Sequence, residues 1–97
     1  VGYALRFTRS AASRLKEFDT PDQQQRLTRL RSSLSLLETD PNLPQLRSHK
    51  YTSVHGVNGE DVWESFVGDP AAADWRMFWH YGPEADTITV ASITYPK

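Results

Sequence analysis

The chain has 97 residues, a formal net charge of −1, 24% charged and 11% aromatic residues, and no cysteine. That length holds one core, so residues 1–97 read as a single folded domain rather than a disordered or multidomain chain. The lack of thiols excludes a disulfide framework and a thiolate metal site; no apolar run approaches the roughly 20 residues of a membrane span and no secretory signal is visible, all of which fits a cytoplasmic protein.

The run Tyr3 to Arg9 alternates, with Tyr3, Leu5 and Phe7 on one side and Arg6 and Thr8 on the other, which predicts a half-buried first strand. Ser10 is the expected N-cap of a short helix through about Phe18, with Ala12, Leu15 and Phe18 at helical spacing. Thr20-Pro21-Asp22-Gln23 predicts a second helix start: a capping Thr, Pro at the first helical position and Gln three after the cap. Leu27, Leu30, Leu34 and Leu37 then form one stripe to about Glu38, with Arg26, Arg29 and Arg31 off it. Asp40-Pro41-Asn42 and Pro44 stop the helix.

Four further strands are predicted. His49 to Val54 is the second, and Asn58-Gly59 signals a two-residue hairpin into the third. In Val62 to Val67, Trp63, Ser65 and Val67 share one face and Val62, Glu64 and Phe66 the other. Gly68 to Ala73 reads as a loop. In the fourth strand Trp75, Met77, Trp79 and Tyr81 share a core face, leaving Arg76, Phe78 and His80 on the other. Gly82 to Asp86 is the turn before a closing strand to Thr94. The order β-α-α-β-β-β-β predicts an α+β fold with two N-terminal helices on one face of a mainly antiparallel sheet. Trp75, Met77 and Trp79 should lie beneath the leucine stripe.

Charge is unevenly spread: residues 1–50 hold nine Lys/Arg against five Asp/Glu, and residues 51–97 hold two against seven. A whole-chain nucleic-acid binder is usually more basic, so only the first half offers a positive patch. Burying an unpaired carboxylate under the helices costs several kcal/mol, so Glu64 should face away from them, on the side of Arg76 and His80. Two readings of that trio stand. One is a structural cross-strand ion pair of Glu64 and Arg76 with His80 packed beside it. The other is RNA cleavage: a carboxylate takes the 2′-hydroxyl proton, an imidazolium protonates the leaving 5′-oxygen, and an arginine holds the phosphate. His49, Lys50 and Tyr51 form a second polar cluster, suited either to phosphate and base contacts or to edge solvation with Tyr51 in the core. The three histidines have no close metal-ligand spacing, so no metal and no other cofactor is expected.

Leu46-Arg-Ser-His-Lys-Tyr51, Val62-Trp-Glu-Ser-Phe-Val67, Trp75-Arg-Met-Phe-Trp-His-Tyr-Gly82 and Ile88-Thr-Val-Ala-Ser-Ile-Thr94, in this strand–helix order, resemble the RelE/ParE toxin superfamily over nearly the whole length. The resemblance implies a RelE-like fold and a bacterial type II toxin neutralised by a cognate antitoxin. RelE-like members cleave mRNA, usually on the ribosome; ParE-like members act on DNA gyrase. Arg76 falls where RelE-like nucleases use an arginine on the scissile phosphate. This chain departs from them in carrying Glu64, Ser65 and Phe66 where they carry lysines or arginines, and in offering only Tyr95 for their C-terminal Arg and Tyr. Three readings stand: an inactive relative, a ParE-like alternative, and a metal-independent endoribonuclease in which the resemblance puts Arg76 on the phosphate and the chemistry of the trio makes Glu64 the base and His80 the acid, with His49, Lys50 and Tyr95 as accessory substrate contacts. The ParE-like alternative is a toxin or interaction module that binds a protein target such as gyrase.

Overall fold

The computed structural model describes residues 2–56, 58–67 and 75–94. In chain order it runs β1 (Ala4–Phe7), α1 (Arg9–Glu17), a 3-10 turn (Pro21–Gln23), α2 (Gln24–Thr39), a second 3-10 turn (Pro44–Leu46), β2 (His49–His55), β3 (Asp61–Val67), β4 (Trp75–Tyr81) and β5 (Thr87–Thr94). The five strands form one sheet in the order β1-β5-β4-β3-β2. β1 runs parallel to β5 and the other three pairings are antiparallel. The parallel contact is possible because the two helices carry the chain from one sheet edge back across it.

The helix starts differ from the sequence expectation. The cap of α1 is Thr8, not Ser10: its Oγ1 accepts the Ala11 N–H at 3.2 Å and donates to the Ala91 carbonyl. The buried positions are accordingly Ala11 and Phe18, with Leu15 half-buried, at i, i+7 and i+4, whereas Ala12 is exposed. Thr20 precedes a 3-10 turn rather than the α-helix, and its hydroxyl donates to Asp22 Oδ1 at 2.8 Å instead of capping. The leucine stripe of α2 is buried throughout.

Ala11, Leu30, Leu34 and Leu37 meet Met77, Trp79, Ile88, Val90 and Ile93 in a core cluster, with Trp75 packed against it. A directed chain of hydroxyls runs beneath this core. Trp79 Nε1 donates to Ser65 Oγ at 2.7 Å, Ser65 and Ser48 share a contact of 2.6 Å, and Ser48 donates to the Pro41 carbonyl at 2.7 Å. Each hydroxyl has one proton, so Ser65 must donate to Ser48. The loop after α2 is thereby tied to the centre of the sheet.

The β2–β3 connection is longer than the two-residue hairpin expected from Asn58-Gly59. Gly56 N donates to Glu60 O at 2.9 Å and Gly59 N to Gly56 O at 2.9 Å, which leaves three residues in the loop. Gly59 sits at φ 82°, the left-handed position that closes such loops and that a side chain disfavours. The expected loop Gly68 to Ala73 and the site candidate Tyr95 lie outside the described residues.

Candidate functional site

Directly opposed residues of an antiparallel pair share a sheet face. In β3–β4, Trp63 opposes Trp79 and Ser65 opposes Met77, so these face the helices. Glu64 opposes Phe78 and Phe66 opposes Arg76, and these face the opposite side. The β3–β4 register has no bulge, so the period-2 argument that turned Glu64 away from the helices holds along this pair. In β2–β3, His49 opposes Glu64 and Tyr51 opposes Val62 on that same open face, whereas Lys50 opposes Trp63 on the helix side.

Glu64 is 3% exposed although it faces away from the helices. Its own neighbours bury it, and they pair it. His49 Nε2 lies 2.7 Å from Oε1 and Arg76 NH1 donates to Oε2 at 3.1 Å. Both partners are about half exposed, so the carboxylate forms the floor and the imidazole and guanidinium the rim.

A second arginine stands beside them. Arg47 ends the second 3-10 turn in a left-handed conformation, φ 49° and ψ 43°. Its Cζ lies 4.2 Å from the centroid of Phe66, and Arg76 Cζ lies 5.4 Å from the same ring. The Arg47 Nε and NH2 atoms are buried without a hydrogen-bond partner. Charged donors left in that state are costly unless an anion completes them. Arg47 belongs to the motif that carries the family resemblance, yet sequence reasoning gave it no role. No sequence signal announced it, since it sits in a left-handed turn outside β2 rather than on the strand's alternation.

The remaining candidates are placed elsewhere. His80 is on the open face and 7% exposed, but four residues of strand separate it from Arg76, about 13 Å, with Phe78 between them. It stands two positions from Phe78, the residue opposite Glu64, as Arg76 does on the other side, while Glu64 itself is held by His49 and Arg76. Its Nδ1 lies 3.0 Å from the Tyr81 carbonyl. Lys50 points to the helix side, 3.2 Å from Asp61 and 5.9 Å from the Trp63 ring centroid, so it does not join the cluster either. Among the described residues no three His, Asp or Glu side chains converge as a metal site, and no helix is long and apolar enough to cross a membrane.

The chemistry available is that of a buried carboxylate able to accept a proton, an imidazole in contact with it, and two guanidinium groups over one aromatic ring able to bind an oxyanion. The fold itself is RelE-like. It is similar to a chain of the archaeal RelE–RelB complex from Pyrococcus horikoshii OT3, with a TM-score of 0.67 and 14% identity, covering 98% of this chain and 96% of that chain. No family model and no curated sequence matches the chain.

Proposed function

We propose that this chain is the toxin of a type II toxin–antitoxin pair and that it acts in the cytoplasm as a metal-independent endoribonuclease on mRNA. The single observation that carries the reading is Glu64, buried on the open face of a RelE-like sheet and held between His49 and Arg76. A carboxylate placed only to stabilise the sheet would not need a neighbouring arginine with two orphaned buried nitrogens.

In this mechanism Arg76 and Arg47 hold the phosphodiester. Glu64 removes the 2′-hydroxyl proton, and the 2′-oxygen attacks phosphorus. The P–O5′ bond breaks as the imidazolium gives its proton to the leaving oxygen. The products are a 2′,3′-cyclic phosphate and a 5′-hydroxyl, with no cofactor. The sequence reading gave the acid's role to His80; His49, in contact with Glu64, is the better-placed imidazole. Tyr95 remains a candidate substrate contact at the chain's end, and Lys50 one at the rim of the other face.

The partner in this reading is an antitoxin, as the P. horikoshii RelE chain was solved with RelB. Arg9, Lys16 and Arg31 border a cleft between α1 and α2 that Leu15, Leu27 and Leu34 line, a surface suited to an acidic amphipathic segment.

The test is induction of the wild type, Arg76→Ala and Glu64→Ala in cells, following growth, total RNA and DNA topology together. Growth arrest with fragmented RNA that both substitutions relieve supports the nuclease. Arrest with intact RNA and altered supercoiling would overturn it in favour of a gyrase-binding toxin, and absence of any growth defect would overturn the toxin reading itself.

A further inference from the structure

Beside the Glu64 cluster the open face holds a groove of about 410 Å³ that the mechanism above does not use. Val62, 4% exposed, closes its floor. Tyr51 and Phe78 meet edge to face, with ring centroids 5.1 Å apart and an interplanar angle of 73°. His55 and His80 stand in its wall. The Tyr81 carbonyl only accepts, so the His80 nitrogen facing it, Nδ1, carries a proton, which leaves Nε2 as the edge a ligand can meet. A slot with aromatic and aliphatic walls and a few polar groups fits a flat heteroaromatic ligand.

The neighbouring cations identify which one. Tyr51 and His49 are alternate residues on one face of β2, about 7 Å apart, and Phe78 opposes Glu64 directly. A ring lying against Tyr51 and Phe78 therefore stands on the same face as the guanidinium groups of Arg76 and Arg47, which flank the Phe66 ring. Aromatic and cationic groups following one another along one sheet face are the two halves of a nucleotide site.

We propose that this groove is a nucleobase pocket: one unpaired base of single-stranded RNA lies against Tyr51 and Phe78, its edge towards His80, while its phosphate rests on Arg47 and Arg76. The pocket rests on the RNA reading above and adds to it a means of choosing where along a strand the protein binds. Face-on contact holds any base, and His80 offers a hydrogen-bonding edge beside it.

The test uses the full chain and 5′-labelled 2′-O-methyl tetranucleotides, which cannot be cleaved through the 2′-oxygen, with fluorescence anisotropy as the readout. A tetramer of the same backbone lacking all bases is the control. Wild type should bind the base-bearing tetramer about 10- to 100-fold more tightly than the abasic one. Tyr51→Leu should lose about tenfold on the base-bearing tetramer and nothing on the abasic one. Arg47→Ala should weaken both alike and flatten the salt dependence by about 0.7 in log–log slope. Equal affinity of wild type for the two tetramers, or equal losses on both in Tyr51→Leu, would sink the pocket while leaving the phosphate site standing. Binding of neither tetramer, with no effect of Arg47→Ala or Arg76→Ala, would remove the RNA reading and the pocket with it.

Discussion

His49 and Glu64 face each other across β2 and β3, and imidazole Nε2 stands 2.7 Å from carboxylate Oε1. The other ring nitrogen, Nδ1, lies 3.3 Å from the Arg47 carbonyl. Both oxygens are acceptors, so an imidazolium donating to each satisfies the pair. A protonated imidazole beside a buried carboxylate is the ready state of an acid–base couple, and substrate phosphate arriving at Arg47 and Arg76 would separate the two.

This relationship predicts a ranking of substitutions. In purified protein acting on a fluorogenic RNA substrate, His49→Asn and Glu64→Gln should each lower kcat by about 10²- to 10⁴-fold. His80→Asn should act mainly on KM, because His80 lies about 13 Å along the strand from Arg76. A kcat loss confined to His80→Asn would restore the acid to that residue and refute the role given to His49.

Arg47 predicts a trade between stability and binding. Arg47→Gly removes two unpartnered buried nitrogens and relieves the positive φ, so the urea midpoint should stay level or rise, by up to about 1 kcal/mol. RNA affinity should fall in the same variant. A destabilised variant with unchanged RNA affinity would show that Arg47 serves the fold.

Ser65 predicts the opposite pattern. It is fully buried and accepts the Trp79 indole N–H. Ser65→Ala leaves that donor and Ser48 without their partner and should cost about 1–3 kcal/mol in chemical denaturation, with catalytic parameters unchanged because the hydroxyl lies on the helix side. An unaffected denaturation midpoint would mean the hydroxyl chain contributes nothing.

Glu60 predicts an acid-side dependence of stability. Backbone N–H groups, its own first and then that of Asn58, hold its carboxyl below the ordinary value of 4.5, and the Asn58 N–H donates to Oε1 at 2.9 Å. A folded-state pKa below the unfolded one stabilises above the unfolded value, and that stability is lost as pH falls through the folded one. The carboxyl carbon of Glu60 should therefore titrate by NMR with a midpoint under 4.5, and Glu60→Gln should lose part of the acid sensitivity. A midpoint at or above 4.5 contradicts the loop geometry.

What the sequence by itself determined is local. Alternation in β3 and β4 put Trp63, Ser65, Met77 and Trp79 on the core face and Glu64, Arg76 and His80 on the other, because backbone pleating fixes a period of two within each strand. The leucine stripe of α2 and the helix stop at Asp40-Pro41 follow from equally local rules. The cap at Thr8 escaped this reading because a contact with Ala91, far along the chain, fixes where β1 ends and α1 begins.

The tertiary structure decided what stands beside what. Sharing a face is not sharing a partner: Arg76 and His80 flank Phe78, opposite Glu64, at equal offsets along β4, yet it is Arg76 that pairs with the carboxylate. His49 reaches Glu64, and Lys50 is turned towards Trp63, only through the β2–β3 register, which a three-residue loop and a register shift between Tyr51 and His55 set. Arg47 enters the cluster through a left-handed turn that its residue type does not announce. Register and such turns depend on loop closure and on packing between distant segments, and no short window of sequence contains both sides of those contacts.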